Sequence, residues 1–171
     1  MDNNNRNWSL ICYGNILRSQ VLEQYLIHHA IQQQINLNAF SAGIAGKEEF
    51  PDEDSLYEEI SFELKKRGVP HLLHRNPWDS EVEEHIVSSD LIICADNHVK
   101  ETVLYRMKNR ISSNKVKTFY EAIFEGEKEF EDTYDYENKR QDPVRFKKAF
   151  DELERIAIKL LSLRENIHSL E

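Results

Sequence analysis

The chain has 171 residues, of which 40% are hydrophobic and 31% are charged, and its 31 acidic residues outnumber its 22 basic ones by nine. This composition is typical of a globular protein rather than a disordered or fibrous one, and the length fits a single domain over residues 1–171. A net charge of −9 argues against a nucleic-acid partner, because no excess of Lys and Arg is available to neutralise phosphates.

Short apolar runs alternate with helical patterns along the first half of the chain. The pattern predicts a strand over 8–12 and then a helix with a regular apolar stripe, for which Ser19 is the predicted N-cap. A second strand is predicted over 37–42. A second helix follows over 54–67, where three basic residues and Gly68 mark its end.

The same alternation continues in the second half. A helix is predicted over 80–88, followed by a strand over 90–95 that is apolar enough to be covered on both faces. A helix over 97–109 and a strand over 116–119 come next. The last helix opens at Asp142, the expected N-cap, with Pro143 at its first position.

Four strands that alternate with helices predict the fold class. Parallel strands joined by right-handed crossovers form a doubly wound α/β protein, here a four-stranded parallel sheet with helices on both faces. Ligands bind such sheets beyond the carboxyl ends of the strands. The first predicted strand ends at Cys12, so the loop after it is predicted to contribute to a binding site.

The loop after the first strand reads CYGNILRS, from Cys12 to Ser19. A strand–loop–helix turn directs several backbone N–H groups into one concavity at the positive end of a helix, and such a concavity binds a tetrahedral oxyanion. Arg18 can hold two of its oxygens, while Gly14 and Asn15 tolerate the backbone geometry of the turn. Here Cys12 would be favoured as a nucleophilic thiolate, with the Ser19 hydroxyl as a donor, whereas a cysteine alone is more often a buried, inert residue.

With this loop the sequence resembles the low-molecular-weight protein tyrosine phosphatases, whose signature is Cys, five residues, Arg and then Ser or Thr near the N-terminus. Further matches are Ser41-Ala42-Gly43, Gly68-Val69, His74-Arg75 and the run 89–96 that ends in Asp96. The resemblance extends from about Trp8 to Leu163. It implies that family's flavodoxin-like fold and a protein-tyrosine phosphatase that releases inorganic phosphate from phosphotyrosine proteins and needs no cofactor.

The resemblance also implies roles for individual residues. Cys12 would be the nucleophile that forms a cysteinyl-phosphate, and Arg18 would bind the phosphate. Ser41 and His74 would support Asn15 from outside the loop. The substrate-binding loop itself would consist of Tyr13, Gly14, Asn15, Ile16, Leu17 and Ser19.

The general acid is the point at which the sequence departs from the family pattern. A phenolate leaving group with a pKa near 10 needs a proton donor. By resemblance that donor is an Asp, usually followed by Pro, ahead of the last helix. Asp142 precedes Pro143, but its position predicts the helix cap. Asp135 needs the smallest insertion relative to the family and is the predicted acid, with Asp132 and Asp142 as the alternatives.

Other activities remain open at this stage. The bulky Ile16 favours phosphotyrosine, because arginine phosphatases of the family carry a smaller Thr there by resemblance. Leu17 replaces the family's frequent second Cys, and Gln20 replaces its Pro, which we expect to remove no chemical group. Arsenate reduction would need a resolving cysteine, and Cys94 lies in an apolar strand. A regulatory phosphate-binding protein without turnover is the non-enzymatic alternative.

Membrane, secretory and metal-binding signals are not apparent in the sequence. No run approaches the roughly eighteen apolar residues of a membrane span, and the first residues lack a secretory pattern. The two cysteines form no disulfide framework, and we find no metal-ligand spacing, so no metal is predicted. We therefore predict a cytoplasmic protein.

Overall fold

Four parallel strands form the central sheet of the computed structural model, which describes residues 6–49, 54–126, 128–135, 137 and 140–164. The strands lie in the order β2-β1-β3-β4, and their bounds are Arg6–Cys12 for β1, Leu37–Gly43 for β2, Leu91–Cys94 for β3 and Val116–Thr118 for β4. Tyr134–Asp135 (β5) and Arg140–Gln141 (β6) pair as a small antiparallel hairpin. The predicted four-stranded parallel sheet is confirmed.

Six α-helices surround the sheet in the described part of the chain. They are α1 (Arg18–Gln32), α2 (Asp54–Lys66), α3 (Ser80–Ser88), α4 (Asn97–Arg106), α5 (Phe119–Ala122) and α6 (Pro143–Leu163). A short 3₁₀ turn, Ser113–Lys115, precedes β4. Within the described ranges, no helix is long and apolar enough to cross a membrane.

The two faces of the sheet carry separate cores. Alternate side chains of β1 point to opposite faces, so Leu10 and Cys12 pack in the larger core with α1 and α6, whereas Ile11 packs in the smaller core with α3 and α4. Helices therefore cover both faces, as predicted. The stripe of α6 is buried against the larger core at Phe150, Leu153, Ile156, Ala157, Leu160 and Leu161.

The strand register brings distant segments to one edge of the sheet. Cys12 lies opposite Gly43 in β2, and Ile11 lies opposite Cys94 in β3. The chain leaves β3 toward Asp96, which caps α4 by accepting the Val99 amide. The carboxyl ends of β1, β2 and β3 therefore meet where the strand order reverses, the position at which such sheets bind ligands.

Several element ends differ from the sequence-based prediction. The predicted helix over 97–109 ends at Arg106, and α5 and the β5–β6 hairpin were not predicted. The last helix starts as expected, because the Asp142 carboxylate accepts the amides of Val144 and Arg145 at 2.9 Å each. Ser19 was wrongly assigned as a cap: α1 begins at Arg18, and Ser19 lies inside its first turn.

Candidate active site

The loop between β1 and α1 curls around the sulfur of Cys12. Only five residues separate Cys12 from Arg18, and Asn15 takes the left-handed conformation at φ +54°. Gly43 packs directly beneath the turn. A Cβ at this position would lie 2.8 Å from the carbonyl oxygen of Tyr13 and 2.9 Å from the carbonyl carbon of Gly14. The path of the loop therefore depends on a glycine in the neighbouring strand.

Two donors converge on the Cys12 sulfur, which is almost completely buried. The backbone N–H of Asn15 donates to Sγ at 3.1 Å, and Ser19 Oγ lies 3.0 Å from it. Ser19 Oγ also accepts the side-chain amide of Asn15 at 2.8 Å, which leaves its own proton for the sulfur. Both contacts place hydrogen-bonding groups on the atom predicted to be the nucleophile. Of the two roles predicted for Ser19, the hydrogen bond to the sulfur is therefore present, whereas the helix cap is not.

Arg18 is held over this loop by a carboxylate that follows β3. Its Nη1 donates to Asp96 Oδ2 at 2.7 Å, and the two side chains are 14% and 20% exposed. Burial works against the charge of Arg18, but the negative charges of Cys12, Asp96 and Asp132 outweigh it, so the pKa of Arg18 is raised above its ordinary value. Asp96 Oδ1 caps α4. One carboxylate thus orients the guanidinium and starts a helix.

Asn15 is the centre of a buried hydrogen-bond network. Its Nδ2 donates to Ser41 Oγ at 3.0 Å, and its Oδ1 accepts the Asn76 amide at 2.7 Å. Ser41 in turn donates to the Glu23 carboxylate at 2.5 Å, and burial raises the pKa of Glu23. The predicted support by Ser41 is present in the structure. His74 reaches Asn15 through Asn76, whose side chain contacts His74 Nε2 at 3.1 Å, and through Gln20, which accepts the His74 amide.

Gln20 is a site residue whose role the sequence did not reveal. The side chain is fully buried, and its Nε2 donates to the Asn15 carbonyl at 2.5 Å and to the Tyr57 hydroxyl at 3.1 Å. Its Oε1 accepts the His74 amide at 2.8 Å. The only signal in the sequence was a polar residue one position before the apolar stripe of α1. Replacing the family's Pro with Gln therefore adds contacts to the loop.

The remaining predicted binding residues take different positions. Tyr13 is exposed at the rim, where its hydroxyl donates to Glu49 at 2.8 Å and its ring stacks on His98. The hydrogen bond to Glu49 raises the pKa of Tyr13. Ile16 is half-buried, and the Leu17 side chain packs into the core. Leu17 can therefore contribute to binding only through its backbone.

The structure gives two of the three candidate acids, Asp132 and Asp142, different surroundings. The Asp142 carboxylate is occupied by the amides at the start of α6. Asp132 is exposed on the segment before β5, and its charge is one of those that raise the pKa of Arg18, so it lies within electrostatic reach of the loop. The side chain of Asp135 lies outside the described part of the structure, and its assignment stays a prediction.

The second cysteine lies on the other side of the sheet. Cys94 packs in the core formed by α3 and α4, while Cys12 packs in the opposite one. Burial raises the pKa of Cys94, which makes it a poor nucleophile. This geometry removes the resolving cysteine that arsenate reduction would require. Among the described residues no His, Cys, Asp and Glu cluster is suited to hold a metal ion.

The loop of this chain combines a buried thiol at the end of a strand, a tight turn and an arginine at the start of a helix. This combination is typical of the phosphate-binding loop of cysteine-dependent phosphatases. The comparison with protein families agrees with this class. The model of the low molecular weight phosphotyrosine protein phosphatases matches residues 8–169, and the chain belongs to that family.

Solved structures of this family share the fold. A low molecular weight protein tyrosine phosphatase from T. tengcongensis has a TM-score of 0.72 at 23% identity, over 92% of this chain and 98% of that one. A low molecular weight phosphotyrosine phosphatase from Vibrio cholerae O395 has a TM-score of 0.75 at 20% identity, over 93% and 96%.

Other similar structures are named for an arginine phosphatase instead of a tyrosine phosphatase. A YwlE arginine phosphatase mutant has a TM-score of 0.75 at 21% identity, over 96% of this chain and 99% of that one; another YwlE mutant, from Bacillus subtilis, scores 0.72 at 21% identity, over 94% and 99%. At these identities the similarity establishes the fold and leaves the substrate open. No curated protein matches the chain by sequence.

Proposed function

We propose that this chain is a protein-tyrosine phosphatase that works through a cysteinyl-phosphate intermediate. The observation that carries the proposal is the pair of donors on the Cys12 sulfur beside the fixed guanidinium of Arg18. A thiolate held by hydrogen bonds is a ready nucleophile at neutral pH, and the cation beside it suits a phosphate dianion.

In the first step the Cys12 thiolate attacks phosphorus and the bond from phosphorus to the tyrosine oxygen breaks. Arg18 and the loop amides stabilise the charge on the other phosphate oxygens. A carboxylic acid gives its proton to the departing phenolate. In the second step that carboxylate takes a proton from water, the water oxygen attacks phosphorus, and inorganic phosphate leaves as the thiolate is restored.

For the proton donor we propose Asp132. Its charge is within reach of Arg18, whereas the Asp142 carboxylate is engaged by the first amides of α6. Asp135, which the spacing of the sequence favours, is the alternative. Proton transfer requires an acid within hydrogen-bond reach of the leaving oxygen, so we expect the Asp132 carboxyl to approach a phosphate bound at Arg18.

The half-buried Ile16 supports phosphotyrosine over phosphoarginine, because an apolar side chain in the binding loop suits an aromatic ring better than a guanidinium. Comparing the hydrolysis of a phosphotyrosine peptide and a phosphoarginine peptide of the same sequence tests this choice. We expect faster turnover of the phosphotyrosine peptide, and the reverse order would make the chain an arginine phosphatase.

The activity itself is tested with p-nitrophenyl phosphate. Wild type and Cys94→Ala should hydrolyse it, and Cys12→Ser should fall to background, because Cys94 lies on the other face of the sheet. If wild type and Cys12→Ser bind phosphate but neither turns over, the chain is a regulatory phosphate-binding protein and the proposal is wrong.

The general acid is tested by leaving-group dependence. Asp132→Asn should lower kcat for phosphotyrosine by about a hundredfold or more, and much less for p-nitrophenyl phosphate, whose leaving group needs no proton. Asp142→Asn is the matched control, since Asn also caps a helix. The same selective loss in Asp135→Asn, with Asp132→Asn near wild type, would move the role to Asp135.

A further inference from the structure

The peptide bond between Gly14 and Asn15 connects the nucleophile to a distant arginine. Its N–H donates to Cys12 Sγ at 3.1 Å, and its carbonyl accepts from Arg75 Nε at 2.9 Å. The described residues contain no cis peptide bond, and in a trans peptide the N–H and the carbonyl point in opposite directions. A donor fixed on the carbonyl therefore fixes the direction of the amide.

Arg75 is itself anchored to a second loop. Its Nη2 donates to the Gly46 carbonyl at 2.5 Å and its Nη1 to the Lys47 carbonyl at 3.1 Å. That second loop is joined to the phosphate loop at its other end, where the Ala45 amide donates to the Tyr13 carbonyl at 2.9 Å. The planar guanidinium can bridge the two loops because it offers several donors in a fixed geometry.

This peptide needs an external restraint. Gly14 has no Cβ to oppose rotation of the peptide plane, and Asn15 is in the left-handed conformation, which Asn adopts more readily than other residues with a Cβ but less readily than Gly. Rotation of the plane would turn the carbonyl oxygen toward the sulfur and remove one of its donors. The thiolate would then face a lone pair instead of an N–H.

We propose that Arg75 is a positioning residue, which keeps the Gly14–Asn15 amide directed at Cys12 and thereby holds Cys12 as the thiolate. The catalytic meaning of this role rests on the function proposed above. The role can nevertheless be measured without turnover, since alkylation by iodoacetamide reports the thiolate directly.

The first experiment measures the alkylation rate of Cys12 against pH, with the modified peptide identified by mass spectrometry. In Arg75→Met the midpoint should move up by about one pH unit, which is about a tenfold slower alkylation on the acid side, because one hydrogen bond to a charged sulfur is lost. Cys94 serves as an internal control that stays unmodified in the folded protein, because it is buried in the core on the other face of the sheet and burial raises its pKa.

Two further variants separate orientation from charge. Arg75→Lys keeps the charge but cannot bridge the carbonyls as a fork, so its midpoint should move as in Arg75→Met. Arg106→Met is the matched control, because Arg106 also donates to a carbonyl after β2, that of Ile44 at 2.7 Å, and its midpoint should match wild type. An unchanged midpoint in Arg75→Met, or a wild-type midpoint in Arg75→Lys, would overturn the proposal.

A second pair of variants moves the same peptide while Arg75 is kept. A Cβ at Gly43 would lie 2.9 Å from Gly14 C and 3.0 Å from Asn15 N, whereas at Gly46 its nearest neighbour is the Glu49 carboxylate at 3.9 Å. Gly43→Ala should slow alkylation and Gly46→Ala should not. A folded Gly43→Ala protein with wild-type alkylation would contradict the proposal even if Arg75→Met fails to fold.

The two proposals fail separately. Loss of thiolate in Arg75→Met together with a wild type that hydrolyses no phosphate ester would support the role of Arg75 and reject the phosphatase. Phosphatase activity with unchanged alkylation in Arg75→Met and Gly43→Ala would do the reverse.

Discussion

The carbonyl oxygen of Asn15 is held from outside the loop by the side chain of Gln20. Because the next peptide is also trans, the amide of Ile16 points the opposite way, into the concavity. Gln20 therefore restrains the peptide after the one that Arg75 contacts. Successive carbonyls bound on the outside leave successive amides on the inside, where an anion binds.

We expect Gln20→Leu to weaken both the fold and the anion site. It leaves the Asn15 carbonyl and the His74 amide without this partner, which should lower the free energy of unfolding by about 2 kcal/mol. The affinity for inorganic phosphate, measured by calorimetry, should fall as well. Gln24→Leu is the matched control one turn later, where the side chain contacts Leu72 instead of the loop. Equal phosphate affinity in the two variants would show that Gln20 has only a structural role.

Substitution of Asp96 should affect both activity and stability, because its carboxylate binds Arg18 and also caps α4. Asp96→Ala removes both the partner of Arg18 and the cap of α4, and we expect kcat/KM to fall about tenfold and stability by about 1 kcal/mol. Asp96→Asn keeps an acceptor for both, so its activity should stay closer to wild type. Wild-type kcat/KM in Asp96→Ala would show that Arg18 needs no partner.

At the scale of elements, ion pairs connect helix α6 with the turn that follows α5. Arg155 and Lys159 both contact Glu125, and Arg155 also contacts Glu152. The hydrogen bond from Arg155 is the largest cause that lowers the pKa of each carboxylate, to about 2 for Glu125 and about 2 for Glu152. The cluster holds the start of the segment that carries the candidate acids.

The lowered pKa values predict the sign of a pH dependence. A carboxyl group whose pKa is lower in the folded state stabilises the fold above its ordinary pKa, near 4.5, and this contribution is lost as pH falls toward 2. The urea midpoint of wild type should therefore fall more steeply between pH 5 and 3 than that of Glu125→Gln. Because these pairs are partly exposed, the effect should shrink in salt.

Glu129→Gln is the control for this experiment, since Glu129 accepts a hydrogen bond from the neutral Asn97 amide. Its urea midpoint should follow wild type across the pH range. Equal slopes for wild type and Glu125→Gln would show that the cluster contributes nothing measurable to stability.

At the scale of the whole molecule, the negative charge is unevenly distributed. Residues 120–142 hold nine acidic and three basic residues, so they contribute −6 of the net −9. The fold neutralises part of this excess with bases from elsewhere in the chain, since Glu121 pairs with Lys100 and Glu131 with Arg145. Asp132 is exposed in the same segment, and its negative charge acts on Arg18.

This distribution predicts a preference among substrates. Phosphotyrosine peptides with flanking Lys should be hydrolysed several-fold faster than peptides with flanking Glu, because the segment repels acidic chains as they approach. Comparing kcat/KM at low and high ionic strength measures the effect, which should diminish as salt shortens the screening length to about 10 Å or less. Faster turnover of the Glu-flanked peptide would reject this view of the segment.

Local features of the chain were predictable from the sequence. The spacing of apolar residues predicted the four strands and the main helices, and Asp142-Pro143 predicted the start of α6. The Cys12–Arg18 spacing predicted the candidate site, because a strand, a tight turn and a helix lie consecutively in the chain. α5 and the β5–β6 hairpin were missed, since elements of two to four residues are too short to show a period.

The sequence by itself determined the order of the elements, the phosphate loop and the family, all of which depend on residues close together in the chain. The tertiary structure decided what surrounds the loop: Asp96 on Arg18, Arg75 on Gly14 and Asn76 on Asn15 are separated from their partners by 61 residues or more. It also decided between the two roles predicted for Ser19, since the hydrogen bond to the sulfur is present and the helix cap is not. The physical reason is that parallel strands joined by crossovers bring their carboxyl ends to one edge, and only the register of β1, β2 and β3 specifies which side chains meet there.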